Sequence, residues 1–381
     1  MKFFLVFLLV YGTANIYLGL RNLSWIRTFC SVPPLLYWFL LFAIAASPIL
    51  PRILAQYGLS SAKGLAGIGD WWLAVTYWSI LLWLMVDILR ALARHFNILP
   101  APLQSLFWQG LFIQVVLIAM LGFGYWNAQH PVLTRHEVTI TTKAAQPATV
   151  KAVMVSDIHV GRIIGSPQLE KLAQRIQDLK PDIVFYVGDI IDDDTAYVAE
   201  HDLLAIFSTV TAPLGSYAVL GNHEYIGGRP GEARRLMEQA GIRTLRDEAL
   251  LIGDSFYLIG RDDLSLSRFT GTSRQSLADL LGSLDGTKPV IVLDHQPGAF
   301  QEALESGVDL QLSGHSHRGQ FFPNSLITQA MYVIDWGYLK RDNLHFIVSS
   351  GYGTWGPPIR LGTKGELVEI TLHLRPQEDK Q

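Results

Sequence analysis

Five short stretches concentrate the side chains that do chemistry. They are Asp157-Ile158-His159, Gly188-Asp189, Gly221-Asn222-His223-Glu224, Asp294-His295 and Gly314-His315-Ser316-His317. Carboxylate, amide and imidazole donors without a thiolate suit Mn²⁺, Fe or Zn²⁺ rather than a soft-metal site. Strand side chains alternate with period two, so Asp-x-His and His-x-His are expected to bring both side chains to one side of an extended segment. Each pair then reaches a common point. Gly188, Gly221 and Gly314 remove the Cβ where the backbone must turn and approach a ligand. Taken singly, each residue has a plainer use: Asp157 or Asp189 could cap a helix, and Asn222 could hold a left-handed turn. Jointly they point to a metal site.

The elements that must position these residues follow from the pattern. Apolar runs Val150–Val155, Ile183–Val187, Ser216–Leu220, Val290–Leu293 and Val308–Leu312 read as strands, and each runs into one of the five stretches. Helical spacing recurs over Leu169–Leu179, Thr195–Val210, Glu232–Ala240, Arg274–Leu284 and Phe300–Glu305. His136–Thr142 alternates like a half-exposed strand, Phe256–Ile259 reads as another, and Tyr332–Ile334, Phe346–Ser349 and Leu367–Leu372 as closing strands. Alternation of strand and helix implies an α/β layered fold, whose ligand sites lie beyond the carboxyl ends of strands.

The chain has 381 residues, which suggests two or three domains. Half of the residues are hydrophobic and only 17% are charged, too apolar for a disordered chain or an ordinary soluble enzyme. The net charge of −3 disfavours a nucleic-acid partner, and the single Cys30 rules out an intrachain disulfide framework. The apolar excess sits at the N-terminal end. Residues 3–20, 28–51, 71–86 and 103–129 carry no charge, and several tryptophans lie near the run ends. We expect about four transmembrane helices in a membrane domain over 1–130. A catalytic domain is expected over 131–375, with a polar tail at 376–381. An uncleaved anchor fits the first run better than a signal peptide, because Tyr17-Leu18-Gly19-Leu20 is a poor cleavage site. Four spans put both ends on one side. Arg21, Arg27, Arg90 and Arg94 flank one face, and Lys2, Arg52, Lys63, Arg135 and Lys143 the other, so the positive-inside count is nearly balanced. Asp87 and Arg90, three apart, read as a helix-end ion pair. No array of intramembrane charge suggests a transporter.

The series SDIHVG, VGDIID, GNHEY, DHQP and GHSHRGQ resembles the calcineurin-like metallophosphoesterase family, in particular membrane-anchored members with several N-terminal spans. The resemblance covers about residues 136–374. It implies N-terminal transmembrane helices followed by a four-layer α/β/β/α sandwich with two divalent metal ions. One would be held by Asp157, His159, Asp189 and His317, the other by Asp189, Asn222, His295 and His315, with Asp189 bridging. Ser316 stands where threonine is usual and Arg318 where many relatives have glycine; Arg318 could narrow or charge the substrate mouth. His223 resembles the family's leaving-group histidine, as general acid or electrostatic stabiliser, and Glu224 could orient it.

The implied activity is phosphoester hydrolysis of the phosphodiesterase or pyrophosphatase class. A metal-bound hydroxide would attack phosphorus in line. Tethering to a membrane favours a lipid-linked phosphoester as substrate. Relatives that are exported favour the extracytoplasmic face of the cell membrane for the catalytic domain. The competing class is a non-catalytic scaffold on the same fold. Arg162 and Arg261-Asp262-Asp263 are weaker candidates for touching a phosphate or headgroup, with solvent-facing loop charge the plainer role for most of them, and Arg360 is expected to pack near the site in the closing segment. Tyr225, Tyr352 and Trp355 could line an apolar mouth, or simply fill the core.

Overall fold

A computed structural model describes residues 2–56, 66–98, 104–142 and 147–377. Lys63, Lys143 and the end of the tail from 378 lie outside the described residues, as do the side chains of Lys2 and Arg52. The chain divides into two compact units, 1–126 with 356–358, and 127–355 with 359–381.

The N-terminal unit is helical: α1 (Lys2–Ile26), α2 (Pro34–Ala46), α3 (Leu50–Gln56), α4 (Ala66–His95) and α5 (Leu106–Ala128). Among the described residues, α4 and α5 are long and apolar enough, by length and composition, to cross a membrane. The second uncharged run does not form a single helix. Its α2 has 13 residues, about 20 Å, against a hydrocarbon core of about 30 Å. Pro48 follows directly after the C-cap Ser47 and has no N–H to continue the ladder. Helix direction is fixed by cross-links. Tyr11 donates to the Ala45 carbonyl (2.9 Å) and Tyr37 to that of Gly19 (3.0 Å), so α1 and α2 are antiparallel. Trp72 donates to Asn15 (3.0 Å) and Trp83 to Asn22 (3.2 Å), so α4 runs with α1. Trp25 donates to the Phe107 carbonyl, so α5 starts beside the end of α1. Asp87 binds Arg21 (2.7 Å), Tyr17 (2.9 Å) and, more loosely, Arg90 (3.8 Å).

The second unit has two six-stranded sheets. One has the order β1 (Val132–Thr142), β12 (Glu366–Pro376), β2 (Ala148–Val155), β3 (Ile183–Val187), β4 (Ser216–Val219), β5 (Arg243–Leu245). The other runs β10 (Gly337–Arg341), β11 (Leu344–Val348), β9 (Leu310–Ser313), β8 (Val290–Leu293), β7 (Phe256–Gly260), β6 (Glu248–Ile252). Strand alternation builds the layers. On β2, Val150, Ala152 and Met154 face inward, packing in one core with Leu258, Ile291 and Leu312 of the other sheet. Val153 and Val155 face outward, toward Leu169, Leu172 and Ile176 of α6 (Ser166–Asp178). The second sheet's outer face packs on Leu277 and Leu280 of a helical turn, Leu277–Leu281, and on Phe300 and Ala303 of Phe300–Glu305. The four-layer α/β/β/α order is therefore present.

Several boundaries differ from the pattern reading. Thr195–Val210 splits into a helix at Thr195–Glu200 and a 3₁₀ turn at Ala205–Thr209. Arg274–Leu284 shortens to Leu277–Leu281 because Ser276 caps it, its hydroxyl accepting from the Asp279 N–H. Tyr332–Ile334 is not a strand. It follows a helix, Asn324–Met331, that leads into β10.

Asp309, at the start of β9, offers a stability test. Its carboxylate accepts from the Val290 N–H (2.8 Å), yet burial pushes its pKa up to about 6. A raised carboxyl pKa adds stability below the unfolded value near 3.8 and loses it as pH rises through 6. Asp309→Asn keeps the acceptor and removes the charge. Its melting-temperature gain should grow between pH 4.5 and 7 and then level off, worth about 1–2 kcal/mol after allowance for partial exposure. A shift independent of pH would contradict this.

Candidate metal centre

Strand ends assemble the site. Asp157 lies two residues beyond β2, Asp189 two beyond β3, and Asn222 three beyond β4; these strands are parallel neighbours. His295 and His315 each lie two residues beyond β8 and β9, again a parallel pair. The two sheets meet at these ends: His295 Nδ1 contacts the Val187 carbonyl (2.9 Å), and the His315 N–H donates to Asp157 (2.9 Å).

The local backbone is not the extended one expected. Asp157, His159, Asp189, His315 and His317 all have positive φ, between 47° and 70°. That left-handed region is costly for residues with a Cβ, and such strain concentrates at functional sites. The strands end at Val155 and Ser313, so alternation no longer applies beyond them. Backbone bonds from Asp157 N to Gly188 O and from His159 N to Asp189 O (both 3.0 Å) hold the first turn instead. Asp157 and His159 still converge, together with His317. His315 and His317 diverge, contrary to the alternation argument.

Three trios each bring one ligand atom per residue within 4.8 Å of one another: Asp157, His159 and His317; Asp189, His295 and His315; and His159, Asp192 and His223. His159 Nε2 and His317 Nε2 are 3.0 Å apart, and His317 Nε2 is 3.4 Å from Asp157. His295 Nε2 is 3.1 Å from Asp189 Oδ2, while Asp189 Oδ1 accepts the His223 N–H (2.8 Å). Asn222 Oδ1, His315 Nδ1 and His159 Nδ1 are buried without a hydrogen-bond partner. Buried polar atoms of that kind need an explanation, and oxygen and imidazole donors gathered at the strand ends that carry Asp157 and Asp189 fit a pair of divalent ions. Two glycines leave the room. A Cβ on Gly221 would overlap Asp189 Oδ1, and one on Gly188 (φ +75°) would overlap the His295 ring.

The electrostatics of the candidate ligands divide: burial opposes a charge on His295, but the Asp189 and Asp157 carboxylates hold it well above the usual imidazole range, so it must give up a proton to take an ion. Burial opposes ionisation of Asp189, but His295, His223 and His159 outweigh it and hold its carboxyl well below the usual range. Burial and then the His295 charge lower His315 to about 4; burial, His159 and Arg360 lower His317. Both imidazoles are neutral, the form a cation requires. Arg360 is fully buried, its Nη2 3.2 Å from His317 Nδ1 and close to three backbone carbonyls.

Asp192 escaped the sequence reading. It lies inside VGDIID, where only Asp189 was singled out, and its Oδ1 is 2.9 Å from His223 Nδ1 and 3.4 Å from His159 Nδ1. Burial works against a charged His223, but Asp192 and the field of Asp189 lift it to about 9. Glu224 does not orient His223. Its two oxygens take the N–H groups of Gly221 (2.7 Å) and Ile191 (2.9 Å), closing the start of the short helix Asn222–Ile226.

The family model for calcineurin-like phosphoesterases matches residues 150–319, which contain every residue of the three trios. An uncharacterized metallophosphoesterase of Aquifex aeolicus is 33% identical over 261 residues, 68% of this chain and 98% of that protein. The chain belongs to the calcineurin-like phosphoesterase family. A Bos taurus transmembrane protein with metallophosphoesterase domain is 29% identical over 266 residues, 65% of this chain, which spans 59% of that protein's length. The Bacillus subtilis metallophosphoesterase YkuE is 28% identical over 284 residues, 70% of this chain and 96% of that protein. This calcineurin-like phosphoesterase is a metal-dependent phosphoester hydrolase, and its cofactor is a pair of divalent metal ions.

The remaining sequence candidates divide. Arg261, Asp262 and Asp263 are not loop charge: all three are buried. Arg261 pairs with Glu302, Asp262 with Tyr225 and Arg246, and Asp263 with Gln296. They are internal bracing, because a buried charge has to be paired. Arg162 is exposed, paired with Asp194 (3.3 Å) and laid over Tyr197. Tyr225 and Tyr352 are buried, whereas Trp355 is 56% exposed with its ring 6.3 Å from that of His223. Arg318 is stacked on Trp336, 4.1 Å from the ring centre.

Proposed function

We propose that this phosphoesterase is a multi-pass membrane protein that hydrolyses phosphodiester or pyrophosphate bonds in lipid-linked substrates, with its catalytic domain on the extracytoplasmic face. One ion would be held by Asp157, His159, Asp189 and His317, the other by Asp189, Asn222, His295 and His315. When bound, the two ions would supply a water of lowered pKa and offset charge on the phosphate.

The observation that carries the catalytic reading is the Asp192–His223 pair. Asp192 occupies His223 Nδ1, which leaves Nε2 as the nitrogen for a substrate oxygen. A protonated His223 held there gives its proton to the departing alkoxide, and Asp192 stabilises the imidazolium beforehand. Trp355 beside it supplies an apolar wall. For orientation, Arg21, Arg27, Arg90 and Arg94 lie toward the shared end of α1 and α4, and α5 starts at that end. The basic residues on the two faces nearly balance, so the positive-inside count does not choose between them; an extracytoplasmic catalytic domain requires this end to be cytoplasmic, with β1 beginning on the other side.

Two preparations test the two parts. Intact cells making the protein should hydrolyse externally added bis(p-nitrophenyl) phosphate, which does not cross the membrane. Activity of the purified chain should vanish on chelation and return with Mn²⁺. Hydrolysis only after lysis overturns the orientation, and no turnover at saturating Mn²⁺, Fe²⁺ or Zn²⁺ overturns the activity.

A further inference from the structure

The helix Asn324–Met331 is amphipathic the wrong way round for a core element. Its buried residue is Ser325, and Thr328 donates to the Asp335 carboxylate. Leu326, Ile327 and Met331 face solvent at 59%, 59% and 66% exposure, and Phe322, Val333 and Trp336 around it are also exposed. No charged residue occurs from 319 to 334. Single exposed apolar side chains are ordinary, but five on one uncharged segment, with Trp336 just past it, mark an interaction surface.

The surface adjoins the chemistry. Ser316 donates to the Asp335 carbonyl, Phe322 N–H to that of Leu361 (2.8 Å), and Gln320 holds Trp355 through two bonds of 2.9 Å. The segment is thus braced to the His315–His317 loop on one side and to Trp355, beside His223, on the other.

We propose that the outward face of this helix is a bilayer-contacting surface that seats the metal centre at the lipid–water interface. The inference rests on the reading that the apolar helices cross a membrane. The occupant follows from the chain itself. Only residues 129–131 join α5, long and apolar enough to span, to β1. Three residues reach about 10 Å, so the catalytic domain cannot leave the membrane surface. A bilayer is the apolar phase permanently within reach. Trp336 is an interfacial residue type, and the exposed Lys340, four residues on in β10, is suited to anionic headgroups.

The test uses the full chain in bilayer discs of phosphatidylcholine and phosphatidylglycerol. Ile327→Cys in a Cys30→Ser background carries an environment-sensitive fluorophore, with Ser283→Cys, in an exposed turn, as reference. The label at 327 should shift to the blue and be quenched by nitroxide-bearing lipid; the one at 283 should do neither. The unlabelled double variant Ile327→Asp, Met331→Asp should hydrolyse a vesicle-borne lipid phosphodiester about tenfold more slowly or worse, with bis(p-nitrophenyl) phosphate turnover unchanged. A water-like label at 327 in a chain inserted in discs overturns the inference and leaves the proposed activity standing, as does quenching that depends on a second copy of the chain. A chain that does not insert removes the membrane reading and this inference with it. Quenching at 327 with no preference for the lipid substrate supports the surface and removes the lipid-linked substrate.

Discussion

Asp189→Asn should reduce kcat by a thousandfold or more, about 4 kcal/mol in the barrier, while the catalytic domain stays folded. Asp189 is the carboxylate that stands between the halves of the site: Oδ2 meets His295 Nε2 at 3.1 Å and Oδ1 takes the His223 N–H at 2.8 Å. Asparagine keeps an oxygen for that N–H, so the turn that begins the Asn222 helix has no reason to open. It removes the negative charge that two cations would share, and it turns an amide N–H toward an imidazole nitrogen. Without metal, the variant also loses the attraction of His295, His223 and His159 that outweighs burial and holds Asp189 ionised, so its melting temperature at neutral pH should fall somewhat below that of the stripped wild-type chain while the fold persists. The readouts are kcat, metal content per chain and thermal melting. Turnover within tenfold of wild type at full metal content would remove Asp189 from the centre.

That expectation, and the strand-end placement behind it, was legible in the sequence because apolar runs ending in polar residues are a local signal. Asp157, Asp189, Asn222, His295 and His315 could be nominated from their position after strands, and all five stand at one edge. What the pattern could not carry was conformation past the strand end. The period-two argument for His315 and His317 fails because left-handed residues swing the two rings into different trios. Nor could it carry partners distant in sequence. Asp192 sits in a run of three aspartates, 192–194, that reads as solvated charge, and only the fold sets it against His223, 31 residues later. The same blindness hid the pairing of Arg261 with Glu302 and of Asp262 with Tyr225 and Arg246. The Asn324–Met331 helix was missed for a different reason. Its apolar residues face outward, so the usual inference from periodicity to a core has nothing to grip.

The second large effect separates His223 from the ligands around it. His223→Gln should leave metal content unchanged, because the ligands proposed for the two ions are Asp157, His159, Asp189, Asn222, His295, His315 and His317. It should cost turnover in proportion to the leaving group's need for a proton. For an aryl phosphodiester, whose phenolate departs unaided, the loss should be about tenfold; for an alkyl phosphodiester, about a thousandfold, within the range for a positioned general acid. Asp192→Asn tests the same pair from behind. It keeps an acceptor at 2.9 Å from His223 Nδ1 but removes the charge that favours the imidazolium, so it should show a smaller loss with the same leaving-group preference. The third trio, His159, Asp192 and His223, supplies the competing explanation, since a cation there would use the same atoms. Equal losses across leaving groups, accompanied by a fall in bound metal, would make His223 a ligand rather than the acid. Equal losses with metal intact would reduce it to a group that merely shapes the pocket.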